Sequence, residues 1–491
     1  PLWAVAGKGR AWLDFQNDVC VKDVKQAAVE NFRSVEHMKR YTTQGMATDQ
    51  GKNSNVAALA VLADATGRGI PQTGTTTFRP PYSPLAIAAM GAGAQGKGFA
   101  PQRFTTSHRA SVAAGAPMIE AGLWYRPSYF PKPGEKTWRQ SCDREVNHVR
   151  NAVGICDVST LGKIDIQGPD AAALLDFVYI NTFSTLKVGR VRYGLMLRED
   201  GTVLDDGTCA RLGATRFVMT TTTAAAGTVM RHLEFVAQCL RPEWQVAMTS
   251  TTEQWAQFAV AGPKSRELLN GLLDAPIDND NWPFMACGEV SVLGVGGRLF
   301  RISFSGEHAY EIAVPARYGE ALFRELVARA EGFGGGAYGM EALNVLRIEK
   351  GFITHSEIHG RTTAYDVGMG RMISATKDCI GKVMAARPGL VVKDRERLVG
   401  FKPIGAVKQL SAGAHVFAAG AQASRENDQG YITSVGFSPS FGAYIGLGFV
   451  KSGPERYGEV MRAVDHLHEL EVEVEICPPV FVDPEGRRAR G

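Results

Sequence analysis

Apolar residues follow two different spacings along the chain, and these spacings predict its elements. In residues 1–50, a strand-like segment at 10–15 precedes apolar positions that recur every three or four residues, the spacing of one helical face. These positions are Val21, Val24, Ala28, Phe32, Val35 and Met38. Asp18 directly precedes the predicted helix, where its carboxylate is expected to cap free backbone amides or, alternatively, to contact a nucleotide ribose.

Residues 45–104 have a different composition. Gly, Pro and Thr are dense at 73–82 and 91–98, and one short helix is predicted at about 56–65. This composition predicts an extended connector that wraps a neighbouring domain. The glycines at 91–96 have the spacing of a dinucleotide-binding motif, but the residues after them cannot start the long helix that would hold a pyrophosphate.

From about residue 105, strand and helix patterns alternate densely. Residues 162–167 and 255–260 alternate like half-buried strands, and each run is followed by Gly-Pro and a predicted helix, at 170–179 and 264–273. The two Gly-Pro pairs lie 94 positions apart, which indicates a duplicated α+β module and not a solenoid of shorter repeats. From Leu398 onwards strand patterns dominate, as is typical of a separate β-barrel-like lobe.

The composition is that of an ordinary globular chain, and it excludes several partners. At roughly 150 residues a domain, 491 residues predict about three domains. The net charge of +4 is too small for binding to nucleic acid or a membrane surface, and no apolar run reaches the length of a membrane span. Eight scattered cysteines without a Cys-x-x-Cys pair predict reduced thiols, a cytoplasmic location and no metal site.

Two adjacent acidic residues could carry chemistry. Residues 189–210 predict a β-hairpin whose Asp200-Gly201 turn suits positive φ. Asp205 and Asp206 follow on the second strand. Since successive strand residues face opposite ways, only one of the two carboxylates can face a site, and the other faces solvent or caps a neighbour. Such a pair is more often a solvated strand end than a catalytic group.

A third carboxylate, Glu311, lies within the apolar alternation of residues 302–314. An unpaired carboxylate is costly in such surroundings. The two parallel N–H donors of a pterin or purine amidine would satisfy it, and an arginine of the protein, such as Arg347, would do so equally well. The residues by themselves leave both alternatives open.

Several segments, in order, resemble the aminomethyltransferase family, which comprises the tetrahydrofolate-binding T-protein of glycine cleavage and its relatives. They are residues 115–125, 148–163, the hairpin with Asp205 and Asp206, 305–311, 346–351 and 430–439. Further segments resemble, more specifically, the C-terminal half of the α subunits of heterotetrameric sarcosine oxidases and have no counterpart in T-protein. They are residues 14–19, 33–43, 45–52 and 73–82.

This resemblance implies an α+β fold: an aminomethyltransferase-like folate-binding domain with the duplicated strand–helix module and a C-terminal barrel-like lobe. The implied divisions are the tail of a dinucleotide-binding domain at 1–45, the extended connector at 46–104, the folate-binding domain at 105–390 and the barrel-like domain at 391–491. The rest of the dinucleotide-binding half would come from another polypeptide, because an isolated strand and helix cannot form a core.

For function, the resemblance implies the folate-binding part of a sarcosine oxidase-like hetero-oligomer. A flavin in the β subunit would oxidise an amine to an imine, and oxygen would reoxidise the flavin to give hydrogen peroxide. The imine would then give methylenetetrahydrofolate and glycine. FAD or FMN and NAD would be held mainly by other chains. The alternatives are a stand-alone aminomethyltransferase or demethylase, and a non-catalytic scaffold for a flavin subunit.

The resemblance also assigns residues. Asp206 matches the family's catalytic carboxylate, and Glu311 matches its pterin-binding carboxylate. Tyr193 and Trp255 are expected to line the folate cavity, and Asp205 and Arg347 are further candidates for contact with folate. Two departures are Leu343, where T-protein has an arginine, and residues 481–486, where it has a tyrosine. Both departures imply a different or weaker hold on folate.

Overall fold

The computed structural model describes residues 4–79, 85–93 and 101–491. The chain divides into two compact units, Pro1–Pro101 and Gln102–Gly491. The glycine spacing at 91–96 and the Thr/Pro-rich segment 73–82 lie partly outside the described residues. No helix in the described part of the chain is both long and apolar enough to cross a bilayer.

The first unit is a small helical core beside a two-stranded antiparallel sheet. Its elements are β1 (Trp12–Asp14), β2 (Val19–Cys20), α1 (Val21–Val29), α2 (Val35–Thr42), α3 (Asn55–Thr66), α4 (Ile70–Thr73) and α5 (Ile87–Met90). Val24 of α1, Met38 of α2 and Leu62 of α3 are completely buried in one shared cluster. The helix expected near 56–65 therefore forms, and it packs into the same core as α1.

Two details of this unit differ from the sequence-based expectation. The single helix predicted over 21–38 is two helices, because Asn31 between α1 and α2 has a left-handed φ of 72° that interrupts the helical backbone. The prediction that Asp18 caps the helix was wrong. Asp18 lies between β1 and β2 with φ 54°, and Asp23 accepts the backbone N–H of Cys20 at 2.8 Å. The predicted divisions at 45, 104 and 390 stay predictions.

The second unit combines helices with three sheets and a closed barrel. Its helices are α6 (His108–Ala113), α7 (Trp138–Asn151), α8 (Ala171–Val178), α9 (Ala226–Phe235), α10 (Ser265–Asn270), α11 (Gly319–Gly332), α12 (Met340–Lys350), α13 (Lys382–Ala385), α14 (Pro388–Val391) and α15 (Arg487–Arg490). A three-stranded sheet contains β3 (Arg103–Phe104), β4 (Met118–Ala121) and β5 (Trp124–Pro127).

Sheet I has five antiparallel strands in the order β11-β7-β10-β9-β8. They are β7 (Gly162–Gln167), β8 (Arg190–Leu197), β9 (Val203–Gly213), β10 (Arg216–Thr221) and β11 (Ala247–Ser250). One face of the sheet, with Ile164, Phe217 and Met219, is buried in an apolar cluster with α8 and α9. The hairpin predicted at 189–210 is formed by β8 and β9, and Gly201 in its turn has φ 89°.

Sheet II has six strands in the order β13-β14-β15-β12-β6-β16. They are β6 (Gly154–Asp157), β12 (Trp255–Ala261), β13 (Cys287–Val292), β14 (Val295–Phe300), β15 (Ala309–Pro315) and β16 (Gly336–Ala337). One face, with Phe258, Leu299 and Ile312, packs against α10 and α11. Each of sheets I and II thus has one face covered by helices and a second face that these helices do not cover.

The duplicated module is visible as two equivalent turns. β7 leads through Gly168-Pro169 into α8, and β12 leads through Gly262-Pro263 into α10. Both glycines have φ 133°, and a Cβ at either would lie within 2.5 Å of a backbone carbonyl oxygen. Only glycine combines this φ with so close an approach, so the same turn closes both modules.

The C-terminal lobe is a closed six-stranded barrel in the order β17-β20-β19-β18-β21-β22. Its strands are β17 (Glu396–Pro403), β18 (His415–Ala418), β19 (Asp428–Ser438), β20 (Ala443–Lys451), β21 (Val460–Asp465) and β22 (Leu470–Cys477). Val399, Ile432 and Val474 point into its apolar interior. The α+β fold with a C-terminal barrel is confirmed.

Candidate functional site

The alternation along β9 sends Asp205 and Asp206 to opposite faces of sheet I. Asp206 is half-buried, and the Tyr193 hydroxyl on neighbouring β8 donates to its Oδ2 at 2.8 Å. Burial raises the pKa of Asp206 to about 7, and the Asp205 charge adds to this effect. The Tyr193 hydrogen bond and the charge of His355 oppose it. A carboxyl group with a pKa near neutrality can both hold and release a proton at ordinary pH.

Asp205 faces the apolar side of sheet I and is 1% exposed. It accepts hydrogen bonds from the backbone N–H of Thr222 at 3.1 Å and from the Thr222 hydroxyl at 2.7 Å. Burial raises its pKa to about 6, against these bonds. The sequence left open whether the carboxylate facing away from the site meets solvent or caps a neighbour. Asp205 caps the backbone of Thr222. Asp205 anchors the turn that leads into α9 and faces away from the surroundings of Asp206.

A row of polar side chains crosses sheet I on the face of Asp206. Tyr193 lies opposite Thr208, which is two residues from Asp206, and Thr220 lies opposite Lys163. The hydroxyls of Thr208 and Thr220 are 2.9 Å apart. Because residues opposite each other in a sheet share a face, Asp206 and Lys163 belong to one continuous polar surface.

The β7 end of this surface is buried, which the alternation of residues 162–167 did not indicate. Lys163 and Asp165 are 2% and 7% exposed, so β7 is buried on both faces and not half-buried as predicted. Lys163 Nζ donates to the carbonyls of Ser159 at 2.8 Å and Leu161 at 3.0 Å. Burial lowers the pKa of Lys163 to about 8, against the charges of Asp157 and Glu311.

Glu311 lies on β15 of sheet II, opposite Ala259 and Phe300, and is 7% exposed. The Gln257 side-chain amide donates to its Oε2. Burial raises the pKa of Glu311, while the Gln257 bond and the charges of Lys163 and Arg126 lower it. The carboxylate therefore has an amide partner, and the cationic groups near it compensate only part of the burial cost.

The polar face of sheet I and the Glu311 face of sheet II face each other. Arg298, on the Glu311 face, lies 3.6 Å from Asp165 of sheet I. Val191 and Ala210 of sheet I share an apolar cluster with Phe300 of sheet II. We call the space between these two faces the inter-sheet layer. Asp206 lies on the sheet I face of this layer and Glu311 on the sheet II face, and the charges of Lys163 and Glu311 interact across it.

The two remaining sequence-predicted residues lie in different places. Trp255 lies on the Glu311 face of sheet II, and the Arg298 guanidinium stacks 4.0 Å from its ring centroid. Arg347 does not pair with Glu311. It is buried on α12, where it donates to Glu357 at 3.0 Å and to the Ser434 hydroxyl. The alternative in which Arg347 pairs with Glu311 was therefore wrong, and the side chain that contacts Glu311 is Gln257.

Sequence reasoning missed Lys163 and Gln257. Each is a polar residue at an alternating position in one of the two duplicated strands, which were predicted to be half-buried. The available signal was the pairing of the modules: two similar strands with polar alternate positions can bury those positions against each other. Leu343, at the position of the T-protein arginine, is buried in α12.

Comparison with protein-family models gives three matches along the chain. The GCVT N-terminal domain matches residues 107–377, and the glycine cleavage T-protein C-terminal barrel domain matches residues 396–483. The sarcosine oxidase A3 domain matches residues 8–94. The first match covers the two sheets and the second covers the barrel.

Curated relatives and a solved structure agree with these matches. Sarcosine oxidase subunit alpha from Rhizobium meliloti (strain 1021) is 50% identical over 99% of this chain and 50% of its own length. This chain thus spans about half the length of that relative. An aminomethyltransferase from Thermus thermophilus is 31% identical over 72% of this chain and 92% of its own length. The crystal structure of aminomethyltransferase T from Bartonella henselae has the same fold, with a TM-score of 0.66 at 23% identity over 78% of this chain and 98% of its own.

Proposed function

Because the chain belongs to the glycine cleavage T-protein and aminomethyltransferase family, we propose that its inter-sheet layer binds tetrahydrofolate and transfers a one-carbon unit to it. The observation that supports this proposal is that Asp206 and Glu311 lie on the two sheet faces that are turned towards each other. A site for a reduced pteridine needs a carboxylate for its amidine edge and a second group that manages a proton, and these two residues supply both.

Glu311 fits the pteridine end. Within the described residues, its only hydrogen-bond donor is Gln257, on Oε2, so Oε1 can still accept a bond. The two parallel N–H groups of an amidine edge would complete the pairing of this buried carboxylate. Lys163 and Arg126 lower the pKa of Glu311 and thus favour the ionised form, which is the form that accepts both bonds.

Asp206 fits the reacting end. Bound tetrahydrofolate supplies the nucleophilic nitrogens that take up a one-carbon unit. Tyr193 holds the Asp206 carboxylate from one side at Oδ2, which fixes its orientation. Because its pKa is raised to about 7, Asp206 can accept a proton and return it at physiological pH. Trp255 and Arg298 would line the far part of the same layer.

The chain would perform this transfer inside a hetero-oligomer. A flavin subunit would oxidise an N-methyl amino acid to the imine, taking two electrons that pass to oxygen and give hydrogen peroxide. The imine carbon would then pass to tetrahydrofolate, giving methylenetetrahydrofolate and the demethylated amino acid, which is glycine when the substrate is N-methylglycine. An enclosed layer favours this capture over hydrolysis of the imine. The dinucleotide-binding half with NAD, and the flavin, would be held mainly by other chains. The 50% identity to a sarcosine oxidase α subunit over 99% of this chain supports the assignment.

Calorimetric titration with tetrahydrofolate tests the proposal, together with product analysis in the assembled complex. We expect Asp206→Asn to bind tetrahydrofolate within about threefold of the wild-type affinity, because a neutral carboxyl at a pKa near 7 is already half populated. The yield of methylenetetrahydrofolate should fall by about a hundredfold or more, with formaldehyde in its place. Glu311→Gln should weaken binding itself by at least about tenfold.

Asp280→Asn is the matched control, since Asp280 is an exposed aspartate outside the layer. It should leave both affinity and product yield unchanged. If the wild-type chain does not bind tetrahydrofolate, one-carbon transfer is refuted and the non-catalytic scaffold is favoured. If the chain transfers the carbon without any flavin subunit, a stand-alone aminomethyltransferase is favoured.

A further inference from the structure

A cavity of about 480 Å³ opens where the inter-sheet layer meets the surface, beside β11. Asp165, Arg216 and Thr249 of sheet I and Trp255 and Arg298 of sheet II line it. Arg298 lies opposite Ala313, two residues along β15 from Glu311, so the cavity adjoins the Glu311 region. Neither Glu311 nor Asp206 lines the cavity itself.

Arg298 carries an unusual amount of unsatisfied donor capacity. It is 5% exposed, and one face of its guanidinium stacks on Trp255. Among the described residues, its only charged neighbour within 4 Å is Asp165, at 3.6 Å, which is longer than a hydrogen bond. A guanidinium has five N–H donors, and those of Arg298 that reach the cavity can bind a ligand or water. The exposed edge of this group faces the cavity.

Arg216 places a second positive charge on the same cavity. It donates to Asp165 at 3.1 Å, and its other charged neighbour, Glu289, is 3.6 Å away and 72% exposed. Two guanidiniums therefore share one buried carboxylate, since water screens the contribution of Glu289. The charged groups that line the cavity, Arg216, Arg298 and Asp165, sum to +1, and a singly charged anion would balance them.

We propose that Arg216 and Arg298 form a carboxylate-binding site at the open edge of the inter-sheet layer. Planar guanidiniums match the two oxygens of a carboxylate, and the volume is ample for a small amino acid. The Trp255 ring offers apolar surface to the carbon atoms of the ligand. This site is distinct from the carboxylates that the proposed function uses.

Two possible ligands carry such a carboxylate, and both follow from the proposed function. The first is the α-carboxylate of an N-methyl amino acid or of the product amino acid. The second is a glutamyl carboxylate of the folate. Calorimetry on the 491-residue chain separates them with N-methylglycine, N-methylglycine amide, and tetrahydrofolates that carry no, one or three glutamates.

If the amino acid is the ligand, N-methylglycine should bind and its amide should not. If the glutamyl chain is the ligand, each added glutamate should tighten folate binding. In either case, Arg298→Gln should weaken the carboxylate-dependent part by about tenfold or more, because charge-assisted bonds are lost. Asp165→Asn should strengthen it by several-fold, because it removes the competing carboxylate. Arg324→Gln, on the exposed face of α11, should change nothing.

The inference is overturned if no probe shows a carboxylate-dependent affinity, or if that affinity is equal in the wild type, Arg298→Gln and Asp165→Asn. Asp165→Asn predicts a gain in affinity, so the test survives a misfolded Arg298 variant. Failure of the proposed function has a different signature. In that case neither the wild type nor Arg298→Gln binds tetrahydrofolate, while N-methylglycine still binds the wild type more tightly than Arg298→Gln. If N-methylglycine also fails to bind, both the proposed function and this inference are overturned.

Discussion

The partly buried carboxyl group of Asp206 should make the folded state less stable as pH rises, and Asp206→Asn should remove this effect. Its pKa rises from 3.8 to about 7 on folding. Since one pKa unit corresponds to about 1.4 kcal/mol, ionising Asp206 destabilises the fold by at most about 4 kcal/mol. The cause is burial, and the Asp205 charge adds to it. Asparagine has the same shape without the charge.

The sign follows from the direction of the shift. Because the folded-state pKa of Asp206 is the higher one, the folded state binds the proton more tightly than the unfolded state. That stabilisation is fully present below about pH 4 and is lost as pH rises through about 7. Asp206→Asn should therefore be more stable than the wild type, and the difference should widen by about 3 kcal/mol between pH 5 and pH 8.

Urea denaturation at a series of pH values, followed by tryptophan fluorescence, measures this difference. Asp200→Asn is a control of opposite sign. Hydrogen bonds from the Thr202 backbone and hydroxyl lower the pKa of Asp200, so its contribution is present above about pH 4 and this variant should be less stable at neutral pH. A difference between Asp206→Asn and the wild type that does not change with pH would refute the reasoning. So would a variant that is less stable than the wild type at pH 8.

Three further predictions concern other parts of the fold. Arg347→Met should lower the free energy of unfolding by about 3–5 kcal/mol, because it leaves the buried Glu357 carboxylate without its cationic partner. Adding Glu357→Gln should recover part of the loss in thermal denaturation. Gly168→Ala should cost more than about 2 kcal/mol by urea denaturation, because its Cβ would lie 2.2 Å from a carbonyl oxygen; Gly134→Ala, with positive φ in open space, should cost about 1 kcal/mol. Under native conditions, Ellman's reagent should react rapidly with Cys239 alone, since the other seven thiols are buried, and rapid reaction of a second thiol would contradict this burial.

Local patterns predicted the elements that local interactions determine. The alternation and the Asp200-Gly201 turn predicted the hairpin of β8 and β9, and the two Gly-Pro pairs predicted the turns that end β7 and β12. Each of these depends on the backbone of a few neighbouring residues. The break between α1 and α2 was not predicted, because the apolar spacing continues across Asn31 although the backbone does not.

The sequence by itself also indicated which carboxylates were candidates for a function, because Glu311 in an apolar alternation and a paired Asp205-Asp206 are unusual in any fold. Only the tertiary structure showed which of them lie on sheet faces that are turned towards each other. Asp206 and Glu311 belong to strands in different sheets, and their common layer exists because sheets I and II each cover one face with helices and turn the other towards its counterpart. The same packing buries Lys163 and Arg298, whose positions look solvent-exposed in an isolated strand. A side chain is buried where two sheet faces pack together, and its pKa and its capacity to bind a ligand follow from that burial. The two faces come from segments far apart in the chain, so no single stretch of sequence contains both of them.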